Sequence, residues 1–253
     1  MNRSERTEQK MQQLFHTHAA GPEGSDGGFM QILQGYIFGD VCYTGSLDNR
    51  MRELVTVTVL TTLSTLPQLK AHLQASLNVG CTPIELREAI YQSAPFIGFP
   101  KTLNAIAVMN EVFSENGIFL PLPDQKTLAA DDERYERGLA LQTPLYGTEI
   151  ADRYRWLPDE FAQAVPHFLT ELCFGDFATR NGLDGKTREL LIVVLLAALG
   201  DADFQLKSHI EGALKSGNTR EEIVCALVHA AGYMGFPRLF NALNAGKEFL
   251  SEP

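Results

Sequence analysis

The chain repeats itself. Phe38-Gly39-Asp40 returns 136 positions later as Phe174-Gly175-Asp176, and Arg52-Glu53-Leu54 returns at the same offset as Arg188-Glu189-Leu190. One residue is then inserted, and the match resumes at an offset of 137. Gln68-Leu69-Lys70 pairs with Gln205-Leu206-Lys207, His72 with His209, Gly80 with Gly217 and Glu85 with Glu222. It runs on through Gly98-Phe99-Pro100 and Gly235-Phe236-Pro237 to Asn104 and Asn241. So long a period excludes a solenoid, whose repeats span about 20–50 residues, and points to duplication of one unit. Residues kept in both copies can therefore be compared within one sequence. The expected division is 1–120 for a first repeat with a helical lead-in, and 121–253 for a linker and second repeat.

Helix start and stop signals recur in the same order in each copy. Leu54, Val57, Leu60 and Leu63 predict a helix from about Asp48 to Ser64, apolar enough to be deeply buried. A second helix is expected from Pro67 to Val79, ended by Gly80. Thr82-Pro83-Ile84-Glu85 then reads as a capping box with Pro in the first turn, and Thr219-Arg220-Glu221-Glu222 repeats the box. Each Gly-Phe-Pro corner can end one helix and open the next. Further helices are expected around Glu5–Phe15, Met30–Phe38, Asp132–Leu141 and Asp159–Phe174, with Arg134–Gly138 echoing Arg6–Met11. Pro121, Pro123 and Asp124 mark 117–130 as the linker. The fold class is all-α, a duplicated antiparallel helical unit. The apolar stretches Leu54–Leu63 and Leu190–Leu199 need cover from more than one side, so the copies are not expected to fold as separate beads.

Composition narrows the function. A net charge of −10 with no basic block argues against nucleic-acid binding through phosphates. The longest apolar run, Leu190–Leu199, is too short for a membrane span, and the first residues lead into no apolar signal region. A cytoplasmic protein without membrane attachment is expected. Cys42, Cys81, Cys173 and Cys225 form no C-x-x-C pair, and none has a cysteine counterpart in the other copy, so no metal site is expected.

Two residue pairs could carry chemistry. Glu53 precedes His72 by 19 positions and Glu189 precedes His209 by 20, with a helix break between acid and imidazole in each copy. Adjacent antiparallel helices could bring each pair together. A carboxylate near the start of so apolar a helix gains from the helix dipole but needs a partner if buried. A structural role, carboxylate satisfied and histidine as polar spacer, stays open beside a catalytic one. The Gly-Phe-Pro corners likewise read either as caps or as helix N-termini facing a carboxylate.

The run R-E-L…Q-L-K-x-H…G-x-T-x-E-E-I…G-F-P…N-A, covering about 38–113 and 174–250, resembles the carboxymuconolactone decarboxylase family, which includes alkylhydroperoxidase D. The resemblance implies a helical fold assembling into trimers or hexameric rings with sites between units. It implies either loss of carbon dioxide from 4-carboxymuconolactone or thiol-based reduction of hydroperoxides. The peroxidase pattern puts a C-x-x-C just before the histidine, where this chain has Thr65 and Gln68, and Ala202 and Gln205. Thiolate attack therefore lacks its nucleophile. The family's glutamate and histidine map onto Glu53 and His72, and onto Glu189 and His209.

That pattern fits a cofactor-free decarboxylase, or a related proton-transfer enzyme, acting on a small carboxylated lactone such as 4-carboxymuconolactone. A carboxylated unsaturated lactone is its own electron sink, so a proton donor suffices: His72 or His209, oriented by Glu53 or Glu189. Arg52, Arg188, Asn104 and Asn241 are candidates for holding substrate, as is His229, which stands opposite Gln92. The alternatives are a hydroperoxidase of the same family and a non-catalytic ligand-binding member. If single-unit relatives form six-membered rings, a chain of two fused units should close the ring as a homotrimer.

Overall fold

The computed structural model describes residues 1–147 and 149–251. Local signals place the repeat's helices nearly where the periodicity does. In the first copy, α3 (Asn49–Leu63) starts where the Asp48 side chain accepts from the Met51 amide and stops at left-handed Ser64. Its counterpart α11 (Gly185–Leu199) starts on Asp184 in the same way and stops at Gly200. Next come α4 (Leu66–Asn78) and α12 (Asp203–Lys215). Both expected capping boxes form, Thr82 with Glu85 and Thr219 with Glu222. They open α5 (Pro83–Tyr91) and α13 (Arg220–Met234). The helix after α5 is a short piece, α6 (Ala94–Ile97), whereas α13 runs on unbroken. Pro95 explains the break, since it lacks the N–H that would bond back one turn, and Gly232 holds the corresponding place.

Both Gly-Phe-Pro corners behave as caps. Gly98 and Gly235 sit at φ near +85°, with ψ near 150°, a conformation nearly confined to glycine, and let the chain turn into α7 (Phe99–Glu115) and α14 (Phe236–Ala245).

Each copy is preceded by a helical lead-in. Helix α2 (Gly27–Gln34) continues as π-helix through Gly35–Asp40, and α1 (Arg3–Phe15) lies against that continuation. In the second copy α10 (Asp159–Leu169) continues as π-helix through Thr170–Ala178, and α8 (Arg134–Tyr146) lies against that continuation. The repeated Phe-Gly-Asp locks both crossings. A Cβ on Gly39 would fall 2.5 Å from Thr7 Oγ1, and one on Gly175 would fall 2.4 Å from the Arg134 carbonyl. Asp40 pairs with Arg3 at 2.8 Å, and Asp176 with Arg134 at 2.7 Å. Arg134 is thus the counterpart of Arg3, one turn earlier than the sequence echo of Arg6 indicated. This register makes Tyr146 the counterpart of Phe15. Between them, α9 (Glu149–Arg153) follows α8.

One apolar core spans both copies, drawing on Val55, Val57 and Val59 of α3 and Leu191, Val193 and Leu195 of α11. Helices α3 and α11 pack on each other and α13 packs across both, giving the most apolar segments the many-sided cover they need. The linker is strapped to the surface by Arg87, which donates to the Leu122 and Pro123 carbonyls, and by Thr127, which donates to the Thr179 carbonyl. Among the described residues no helix is long and apolar enough to cross a membrane, and no cluster of His, Cys, Asp and Glu has the makings of a metal site.

Candidate active site

Helices α3 and α4 bring Glu53 and His72 together, with His72 Nδ1 2.8 Å from Glu53 Oε2. Helices α11 and α12 do the same for Glu189 and His209 at 3.1 Å. All four side chains are largely withdrawn from water. The surroundings of the two pairs differ.

Around the first pair the space is packed. The His72 ring meets Phe15 edge-on at 5.4 Å on one side and Tyr233, from the second copy, at 5.2 Å on the other. Behind Tyr233 lies His229, 1% exposed. Thr56 donates its proton to the Arg52 carbonyl, so its oxygen accepts from His229 Nε2–H at 2.9 Å. Nδ1 is left as an acceptor facing Arg52 Nη1 at 3.5 Å. Burial first, and the Arg52 charge second, push the His229 pKa down to about 3, so this imidazole is neutral at physiological pH.

The second pair opens onto a cavity of about 580 Å³. Its walls come from both copies, with Gln92, Pro95 and Phe96 of the first facing Glu189, Ile192 and His209 of the second. Here Tyr146 takes the place of Phe15 and adds a hydroxyl. That hydroxyl donates to Glu189 Oε2, and its oxygen lies 2.7 Å from His209 Nδ1. Because the tyrosine proton goes to the carboxylate, the oxygen accepts from Nδ1–H, and Nε2 is the imidazole nitrogen left for a ligand. Burial, reinforced by the Glu189 charge, raises the Tyr146 pKa far above the usual phenol range, so it remains a donor. Phe96 replaces Tyr233 beside the imidazole, at 5.8 Å. Each histidine therefore has one phenylalanine and one tyrosine neighbour, with the two sources exchanged.

The expected substrate-binding residues divide. Arg52 is 2% exposed and staples the segment before α3, donating to the carbonyls of Leu47, Val41 and Thr44. Arg188 lines the cavity but donates to Gln92 Oε1 and the Arg180 carbonyl, and lies 3.5 Å from Glu88. His229 sits by the first pair. Asn104 and Asn241 lie on exposed faces of α7 and α14, outside the cavity lining.

Sequence reasoning passed over Tyr146, Gln92 and Glu88. Tyr146 was hidden by the one-turn slip in the lead-in alignment. Gln92 occupies the place of His229, and Ile192 that of Thr56, so Gln92 Nε2 is buried without a hydrogen-bond partner beside the cavity. Glu88 is fully buried and gathers Arg180 at 2.9 Å, Arg87 at 3.2 Å and Arg188 at 3.5 Å. Its counterpart is Cys225, so comparing the copies could not reveal it. Cys42, Cys81 and Cys173 are pushed up to about 12 by burial, which keeps them as thiols.

Fold and site together define a class, duplicated helical proteins that hold an acid–imidazole pair in each half. The carboxymuconolactone decarboxylase family model matches residues 27–111 and 163–248, and the chain belongs to that family. It is 28% identical over 122 residues to the 4-carboxymuconolactone decarboxylase of Acinetobacter baylyi, covering 48% of this chain and 90% of the relative. It is 31% identical over 119 residues to the nitrosuccinic acid decarboxylase npaB of Metarhizium robertsii, covering 46% of this chain and 82% of the relative. Peroxisomal protein 2 of Schizosaccharomyces pombe is 26% identical over 144 residues, covering 56% of this chain and 65% of the relative.

Proposed function

We propose that the chain is a cofactor-free decarboxylase of carboxylated lactones or similar carbonyl acids, and that the second copy holds its working site. The observation that carries this reading is the Tyr146–Glu189–His209 relay at the wall of a cavity built by both copies. In such a reaction the carbon–carboxylate bond breaks, carbon dioxide leaves, and the electron pair spreads through the unsaturated ring onto the lactone carbonyl. His209, protonated and facing substrate through Nε2, delivers a proton to carbon, and Glu189 stabilises the imidazolium before transfer. Tyr146 fixes the ring's orientation through Nδ1. Two relatives named as decarboxylases support the reaction class.

The first pair then acts as structure. Glu53 satisfies His72 between Phe15 and Tyr233, and nothing in that arrangement requires a substrate. For assembly we favour the homotrimeric ring. Exposed apolar residues recur at equivalent places in the two copies, Phe99 with Phe236 and Leu103 with Phe240, and each pair needs similar cover. A cytoplasmic location is the simplest setting for such a protein.

The test is carbon dioxide release from carboxylated unsaturated lactones, with deuterium from heavy water appearing at the protonated carbon. His209→Gln is expected to abolish release and His72→Gln to leave most of it. Equal loss in both variants, or release without deuterium incorporation, overturns the assignment.

A further inference from the structure

The cavity is larger and more apolar than a small diacid requires. Its volume of about 580 Å³ lies within the range of pockets that hold drug-sized ligands, about 300–1,000 Å³. Four phenylalanines, Phe96, Phe174, Phe177 and Phe204, share its lining with leucines and isoleucines from α8 to α11. Tyr146 and Glu189 are the polar groups bonded to His209.

The cations that line it are engaged. Arg188 serves Gln92, the Arg180 carbonyl and Glu88. Lys215 holds the Leu145 carbonyl at 2.9 Å and Glu211 at 2.9 Å. The Arg153 guanidinium lies 4.3 Å from the centre of the Phe204 ring. Two carboxylates on one ligand would face this set together with Glu189 and Glu211. Their desolvation would go largely uncompensated.

Resting on the site assigned above, we propose that the ligand is a monocarboxylic lactone or keto acid bearing an aromatic or branched-alkyl body. That body lies against Phe96, Phe174 and Phe177 while the carbonyl end meets His209 Nε2. The pocket thereby selects against compact dicarboxylic acids, the class to which nitrosuccinic acid belongs by its name. Aromatic walls favour a flat ring in offset or edge-on contact, which adds to plain area burial.

Isothermal titration of the intact protein tests this with three saturated lactone acids, which lack the electron sink and so bind without turnover: paraconate, phenylparaconate and the dicarboxylate isocitric lactone. Phenylparaconate is expected to bind about tenfold or more tighter than paraconate, the gain from burying one ring. Isocitric lactone is expected to be the weakest. In Phe177→Leu or Phe96→Leu, folded as judged by circular dichroism, the ratio of phenylparaconate to paraconate affinity should shrink at least ~threefold. Isocitric lactone binding as tightly as phenylparaconate, no saturable binding of phenylparaconate, or a phenyl preference that survives in both variants overturns the proposal. Because these probes do not react, failure of decarboxylation with the preference intact refutes only the assigned reaction.

Discussion

Tyr146→Phe removes one oxygen atom, and the chain already contains the outcome, since Phe15 occupies the same place in the first copy. The lost oxygen serves two partners, donating to Glu189 and accepting from His209 Nδ1 at 2.7 Å. A hydrogen bond to a charged group contributes about 1.5–3 kcal/mol and a neutral one about 1 kcal/mol. Part of that is recovered, because Glu189 and His209 are already 3.1 Å apart and can close toward the 2.8 Å seen between Glu53 and His72. The expected net loss is about 1–2 kcal/mol, and at about 2–4 °C per kcal/mol the melting temperature should fall by about 2–8 °C. Urea unfolding followed by circular dichroism measures the loss, and a double-mutant cycle with Glu189→Gln isolates the shared term, expected to be about 1 kcal/mol or more. Turnover should fall about 10–100-fold, since the imidazole loses its fixed orientation. A variant as stable as the parent, with effects additive to those of Glu189→Gln, would show that the hydroxyl does not tie the acid to the imidazole.

Other consequences follow from the same geometry. Glu88→Gln leaves three arginines around a buried site without their counter-charge and should cost about 3–5 kcal/mol, read from the urea midpoint at unchanged m-value. Gly235→Ala meets nothing closer than Pro237 at 3.7 Å, so any loss, about 1–3 kcal/mol, must come from backbone strain at φ +86°; an unchanged midpoint refutes that strain. His229, lowered to about 3 from an unfolded value near 6.5, makes the unfolded chain bind more protons between those limits. Its contribution is full above about pH 6.5 and is lost as pH falls toward about 3, by up to about 1.4 kcal/mol per pH unit. Unfolding free energies of His229→Gln should therefore show a shallower decline on acidification than the parent, and parallel profiles would contradict it. Cys42, Cys81 and Cys173, with thiols near 12, should resist iodoacetamide at neutral pH in the native state and react promptly in urea.

The two halves have diverged by exchanging neighbours rather than by losing the pair itself. Tyrosine comes from the lead-in at the second site and from the opposite copy at the first. In one place its hydroxyl joins acid and base, and in the other the Tyr233 hydroxyl is buried beside the ring of His72.

By itself the sequence determined the helices, their caps and both Glu–His pairs, because these rest on contacts within a few turns or between consecutive helices. Asp48 and Asp184 cap α3 and α11 through their own next turn, and a short break brings α4 back along α3 and α12 along α11. The tertiary structure decided which pair meets open space. That depends on how α13 crosses α3 and on one turn of register in α8, neither of which periodicity records. It also decided that Glu88 would collect Arg180 and Arg188 of the second copy beside its own neighbour Arg87, and that Arg52 would staple backbone. The contacts of Glu88 with Arg180 and of Thr56 with His229 join residues 90 or more positions apart, and only packing around the shared core brings them within reach.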